Sequence, residues 1–106
     1  MVEFIDINGI KYPIVINFYV IGLFQQETGK SFDSLSDIGN NLYLVEPLMY
    51  YALKMGSQVN KQEFPFTRDD MPILLSDDNI YRNFSETISK FFPAITEKQP
   101  TKKKKV

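Results

Sequence analysis

VEFIDINGIKYPIVINFYVIGLFQQETGKS runs from Val2 to Ser31, and the fold turns on how it is read. Its first half has strand chemistry. Val2, Phe4, Ile5 and Ile7 lead into Asn8-Gly9, a dipeptide that favours a type I′ hairpin turn because both residues tolerate positive φ. Ile10, Tyr12, Ile14 and Ile16 then alternate with Lys11, Pro13 and Val15, which predicts a returning strand. Pro13 has no N–H to donate, so that strand is expected to be an edge there. Asn17 follows as an N-cap, and FYVIGLFQQET reads as a helix with Phe18, Ile21 and Phe24 on a broad apolar face beside Val20 and Leu23.

The end of the stretch offers a competing reading. FQQETGKS, Phe24 to Ser31, comes close to the phosphate-binding pattern G-x-x-x-x-G-K-[ST]. A phosphate cradle needs glycine at the first position so that successive N–H groups can turn inward, and Phe24 stands there instead. ILLSD, Ile73 to Asp77, imitates a second nucleotide motif only as an apolar run closed by an acid. Gly29 has a simpler use as a left-handed helix stop, with Lys30 where a cation suits the helix C-terminus.

Further along, LYLVEPLMYYALKMG reads as a second helix with Leu44, Leu48, Tyr51 and Met55 in one stripe and Gly56 as its terminator. Pro47 either sits in the first turn of that helix or kinks a longer one. Thr67 and Asp70 resemble a capping box for a short third helix containing Pro72. Asp77 or Asp78 caps a last helix, on which Tyr81, Phe84, Ile88 and Phe91 recur at helical spacing and Glu86 and Lys90 stand as an i,i+4 pair. Pro93 is expected to stop it. The expected architecture is α+β and mainly α: an N-terminal β-hairpin followed by three to four short helices, with residues 1–95 as one domain and residues 96–106 as a disordered Lys-rich tail.

Composition narrows function more than it names it. The 106 residues include neither cysteine nor histidine, which removes disulfides, thiolate metal sites, the commonest zinc ligand and the usual general base. Carboxylate pairs, Lys and Tyr remain, and they form no convergent acid–base set in the sequence, so an enzyme is not expected and no cofactor is called for. Asp69-Asp70 and Asp77-Asp78 read as helix caps in preference to a hard-cation site, because the spacing of a calcium loop is missing. Residues 1–96 carry seven basic and twelve acidic side chains, a net of −5, which does not suit a nucleic-acid groove. No stretch is long and apolar enough to predict a membrane span.

The order of hairpin, NFYVIGLFQQETGKSF and LMYYALKMG resembles the tail assembly chaperones of long-tailed bacteriophages. The residues that carry the resemblance are Asn8-Gly9, Glu27-Thr28-Gly29-Lys30 and Tyr50-Tyr51-Ala52-Leu53-Lys54, within a likeness that covers about residues 3–92. The resemblance implies a non-enzymatic protein that binds the aggregation-prone tape-measure protein while tail tube subunits polymerise around it. It also implies the cytoplasm of the infected host as the place of action and absence from the mature virion. Adaptable or aromatic side chains suit such a contact, and Met49, Tyr50, Leu53 and Met71 are the expected partner-binding residues. Self-association is a further expectation. Two other readings stand beside this one: a structural adaptor that stays in the particle, and a nucleic-acid-binding accessory protein using the basic tail Lys102, Lys103, Lys104 and Lys105. Family members often continue into a longer product by ribosomal frameshifting, and a run of A encoding those four lysines is a slippery template.

Overall fold

The computed structural model describes residues 2–31 and 41–91. Two antiparallel strands, β1 (Glu3–Ile7) and β2 (Ile10–Ile14), are followed by four helices: α1 (Phe18–Thr28), α2 (Leu42–Asn60), α3 (Asp70–Leu75) and α4 (Asp78–Phe91). The fold is therefore α+β and mainly helical, as the pattern predicts. Pro93 and the lysines at 102–105 lie outside the described residues.

Local chemistry sets the hairpin. Asn8 and Gly9 take φ values of 56° and 88°, the pair of positive angles a type I′ turn requires. The Asp6 carboxylate accepts the Gly9 N–H at 2.9 Å and stiffens the turn. Ile7 pairs with Ile10, Ile5 with Tyr12 and Glu3 with Ile14. In a two-residue hairpin these are the hydrogen-bonded pairs, so the polar groups of Lys11 and Pro13 point away from β1. Pro13 thus costs the ladder nothing. It is not at a bare edge, however: it is fully buried, because α2 lies against it.

That contact explains Gly56, which does not end a helix. It sits inside α2, whose C-cap is Lys61 at φ 54°. A Cβ on Gly56 would lie 2.2 Å from the Pro13 carbonyl oxygen, so glycine is there for the close approach of strand and helix. One turn earlier, Ala52 accepts a hydrogen bond from the Val15 N–H at 3.2 Å, joining the end of the hairpin to the helix backbone. The buried rows of α2 are accordingly Leu44, Val45, Leu48, Met49, Ala52, Leu53 and Ser57, with Tyr51 and Met55 at their flank. Pro47 lies within the helix, which starts at Leu42, so the longer of the two expected helices is the one formed.

The caps follow the sequence. The Asn17 carbonyl oxygen of the side chain accepts the Val20 N–H at 2.9 Å, and Gly29 stops α1 at φ 73°. FQQETGKS is the end of a helix, whereas a phosphate loop needs a strand before it and a helix after it. Asp70 accepts from the Thr67 N–H at 2.8 Å, and Asp77 accepts from the N–H groups of Asn79 and Ile80. Asp77 thus caps α4, whereas Asp69 at the N-cap of α3 makes no side-chain cap bond and Asp70 instead ties Thr67 to the helix start; ILLSD spans the end of α3 and the turn after it. Lys90 reaches Glu3 on β1 at 3.5 Å, where the sequence pairs it with Glu86, because α4 packs on β1 and brings a carboxylate from the strand.

The core lies between the hairpin and the helices. Ile5, Ile7 and Ile14 meet Val20, Ile21 and Phe24 of α1, the inner rows of α2, Met71 and Leu74 of α3, and Ile80, Phe84 and Ile88 of α4. Phe18 is not part of this face: it is 87% exposed.

Candidate functional surface: a polar clamp and two apolar grooves

Between α2 and α3 the chain runs without regular structure, and in Lys61–Thr67 alternate residues turn inward. Gln62, Phe64 and Phe66 are half-buried, while Lys61, Glu63, Pro65 and Thr67 face outward. Phe66 meets the Tyr12 ring edge-on at 4.9 Å, Phe64 meets Tyr50 at 5.6 Å, and Tyr50 meets Tyr51 at 5.4 Å. This aromatic row lines the connection along β2 and α2. The Gln62 side-chain amide adds a hydrogen bond to the Lys11 carbonyl at 3.0 Å.

Arg68 closes the row. Its guanidinium grips both oxygens of Glu27 at the end of α1, and Nε lies 3.7 Å from Glu46 on α2. The same group sits 5.7 Å from the centre of the Tyr50 ring, within cation–π range. Tyr51 donates its hydroxyl to Glu27 at 2.7 Å. The hydrogen bond from Arg68 pulls the Glu27 carboxyl below its ordinary value. The acceptor Glu27 in turn holds the Tyr51 proton on, raising that phenol. A carboxylate locked in its charged form by a bidentate arginine is a poor proton carrier at neutral pH. The cluster is a clamp that ties the α2–α3 connection to the ends of two helices.

Two grooves flank α2. One, of about 370 Å³, is lined by Tyr43, Glu46, Pro72, Leu75, Ser76 and Tyr81, where the first turns of α2 meet α3 and α4. Tyr43 is 63% exposed, and Ile73 on α3 is 70% exposed. The other, of about 220 Å³, lies between α1 and α2 and is lined by Tyr19, Leu23, Tyr51, Lys54, Met55 and Gln58. A polar depression around Asp6, Asn8, Asp77, Asn79 and Asn83 joins the hairpin turn to α4. Its two carboxylates already accept backbone N–H groups. Among the described residues no cluster of three acidic side chains has metal-ligand geometry.

The expected contact residues separate sharply. Met49, Leu53 and Met71 are completely buried, so they are core side chains and present nothing to a partner. The reason is helix register: the face of α2 that meets β2 and α1 carries Met49 and Leu53, and Met71 is the inner residue of α3. Tyr50 is half-buried within the aromatic row, with Lys54 and Arg68 over its ring. The exposed large apolar residues, Phe4, Ile10, Phe18, Tyr19, Tyr43, Val59 and Ile73, are not in the sequence-based set. A signal for the register is present in the chain: Ala52, Gly56 and Ser57 are small residues on one helical face, the mark of close backbone approach.

Comparison of the chain with protein-family models, with curated proteins and with solved structures finds no match.

Proposed function

We propose that this chain is a non-enzymatic tail assembly chaperone of a long-tailed bacteriophage, which binds the tape-measure protein and keeps it soluble while the tail tube forms. The observation that supports a binding role is the groove lined by Tyr43, Pro72, Leu75 and Tyr81, with Ile73 exposed on the same short helix. It is an apolar surface on a small acidic domain, of the kind that accepts the apolar stripe of an amphipathic helix. The family itself rests on the resemblance of the hairpin, the Glu27-Thr28-Gly29 helix end and the Tyr50-Tyr51-Ala52-Leu53-Lys54 segment. In this reading the partner's exposed stripe is covered in the host cytoplasm, and the chaperone leaves before the particle is complete. Tail tube subunits are the second candidate partner.

The test is co-expression with the tape-measure protein encoded near it, reading the soluble fraction and co-elution. Rescue is expected, and Tyr43→Asp or Ile73→Asp is expected to abolish it, since both side chains are exposed and the fold survives the change. A folded chain that neither rescues nor co-elutes overturns the chaperone reading. Detection of the chain in purified particles moves the assignment to a structural adaptor.

A further inference from the structure

Building on the binding role proposed above, we propose that the groove between α2, α3 and α4 takes a cationic amphipathic helix, one whose apolar stripe is flanked by lysine or arginine.

Shape supplies the apolar half of the recognition. Tyr43 and Glu46 stand one turn apart on α2, Pro72 and Leu75 one turn apart on α3, and Tyr81 closes the groove from α4. Ile73, 70% exposed, adjoins Pro72 on the same short helix. The groove holds about 370 Å³. An apolar cavity of about 150 Å³ accepts a benzene ring, so this space takes one or two side chains and leaves the rest of the partner helix on the rim.

Charge selects the occupant. Residues 42–53 and 69–81, from which all the lining side chains come, contain five carboxylates and no lysine or arginine: Glu46, Asp69, Asp70, Asp77 and Asp78. Residues 1–96 hold twelve acidic and seven basic side chains, so outside these two segments acids and bases balance at seven each. The entire net charge of −5 is therefore carried by the elements that build the groove. The two Asp pairs bracket α3, whose six residues span about 9 Å. Both pairs thus lie within about one Debye length of the middle of that helix at physiological salt.

The neighbouring cations do not cancel this field. Arg68 spends both terminal nitrogens on Glu27, and its Nε, 3.7 Å from Glu46, makes no hydrogen bond. Two carboxylates share that one guanidinium, and the Glu46 side chain keeps 31% of its surface open. Arg82 bonds the side-chain oxygen of Asn79 at 3.4 Å, a residue of the depression beside the hairpin turn. Among the described residues no lysine or arginine nitrogen lies within 4.0 Å of the carboxylates of Asp69, Asp70, Asp77 or Asp78. Asp70 and Asp77 accept backbone N–H groups, which fix their positions without removing their charge. An acidic helix or a nucleic acid meets repulsion on this face, and a second copy brings the same sign.

Three synthetic amphipathic helices with one leucine stripe, flanked by lysine, glutamine or glutamate, test this against the full chain by fluorescence anisotropy. The lysine peptide is expected to bind at least about tenfold more tightly than the glutamine peptide, with the glutamate peptide weakest, and the margin is expected to shrink as salt rises. Glu46→Gln with Asp69→Asn keeps the carboxylates that hold backbone N–H groups. That pair is expected to weaken the lysine peptide at least about threefold and to leave the glutamine peptide unchanged. Glu63→Gln with Glu86→Gln removes equal charge from outside the two segments and is expected to change the lysine peptide by less than about twofold. Equal affinity for the three peptides, or equal losses in the two folded double variants, overturns the proposal. So does an apparent mass of two chains that returns to one on Ile73→Ser, which gives the groove to a second copy. Co-expression separates this from the chaperone reading. Full rescue of the tape-measure protein by the Glu46→Gln, Asp69→Asn chain overturns the cationic partner and leaves the chaperone standing, whereas lysine preference without rescue by the wild type keeps the cationic groove and overturns the chaperone.

Discussion

Gly56→Ala is a single methyl group placed where strand and helix touch, and the structure gives its cost. The new Cβ would stand 2.2 Å from the Pro13 oxygen, 2.5 Å from the Pro13 carbonyl carbon and 2.9 Å from the Ile14 nitrogen, and contacts under 3.0 Å are essentially never seen for a real Cβ. All three atoms are backbone, so no side chain can swing aside. The hairpin must move off α2 by about 1 Å, an overpacking strain of typically ~1–3 kcal/mol. That shift also stretches the bond between the Val15 N–H and the Ala52 carbonyl, already 3.2 Å long, and its loss costs about 1 kcal/mol. Alanine's better helix propensity returns about 1 kcal/mol. The net expectation is a destabilisation of about 1–3 kcal/mol, or a melting temperature lower by roughly 5–20 °C for a domain of this size. Urea unfolding followed by circular dichroism at low micromolar concentration measures it. Gly22→Ala is the internal control: the same substitution within a helix, but into open space, is expected to stabilise by about 0.5–1 kcal/mol. Equal effects at the two glycines would refute the claim that Gly56 exists for close approach.

Met49→Asp buries a carboxylate at a position with no exposure and is expected to destabilise by more than about 4 kcal/mol, leaving little folded protein, whereas Ile73→Asp is expected to change stability by less than about 0.5 kcal/mol in the same unfolding assay. Arg68→Ala removes the partner of Glu27 and is expected to cost about 1 kcal/mol at pH 7, a discount for a pair that is about one-third exposed. Because the Glu27 carboxyl is lowered in the folded state, this contribution is complete above its ordinary value of 4.5 and fades as the pH falls through the lowered value. The gap between wild type and Arg68→Ala should therefore close in acid, and a gap that is constant from pH 7 to pH 3 would contradict the clamp. Ser57 is buried and its hydroxyl has no hydrogen-bond partner among the described residues, so Ser57→Ala is expected to raise the unfolding midpoint by about 0.5–1.5 kcal/mol equivalent.

What could be read from the sequence was local. Asn8-Gly9, Asn17, Gly29 and Asp77 each act on backbone groups within a few residues, and each does in the structure what its chemistry predicts, while of the Thr67–Asp70 capping box only the bond from the Thr67 N–H to the carboxylate forms. Gly56 shows where this stops. A glycine after an apolar run is the same local signal whether it ends a helix or admits a strand, and only the position of β2 decides between them. The expected contact residues divide into buried and half-buried for a related reason. Met49 and Tyr50 are neighbours of similar chemical suitability, and which one turns inward depends on the register of α2 against β2 and α1. Arg68 and Glu27 are 41 residues apart, beyond any spacing rule, and Lys90 found its carboxylate on β1 and not one turn away.

The close contact of α2 with β2 has a consequence for the way other chains can approach. A two-stranded sheet ordinarily offers a row of free donors and acceptors on which an incoming strand can build. On β2 that row is interrupted at each step: Pro13 has no donor and its carbonyl is pressed against Gly56, Val15 is bonded to Ala52, and the Lys11 carbonyl holds the amide of Gln62. An extended polypeptide finds no register there, so this edge of the hairpin does not template the stacking by which sticky chains turn into fibres. In the proposed chaperone reading, recognition falls to the helical surfaces, whose side-chain contacts form and release without adding a strand.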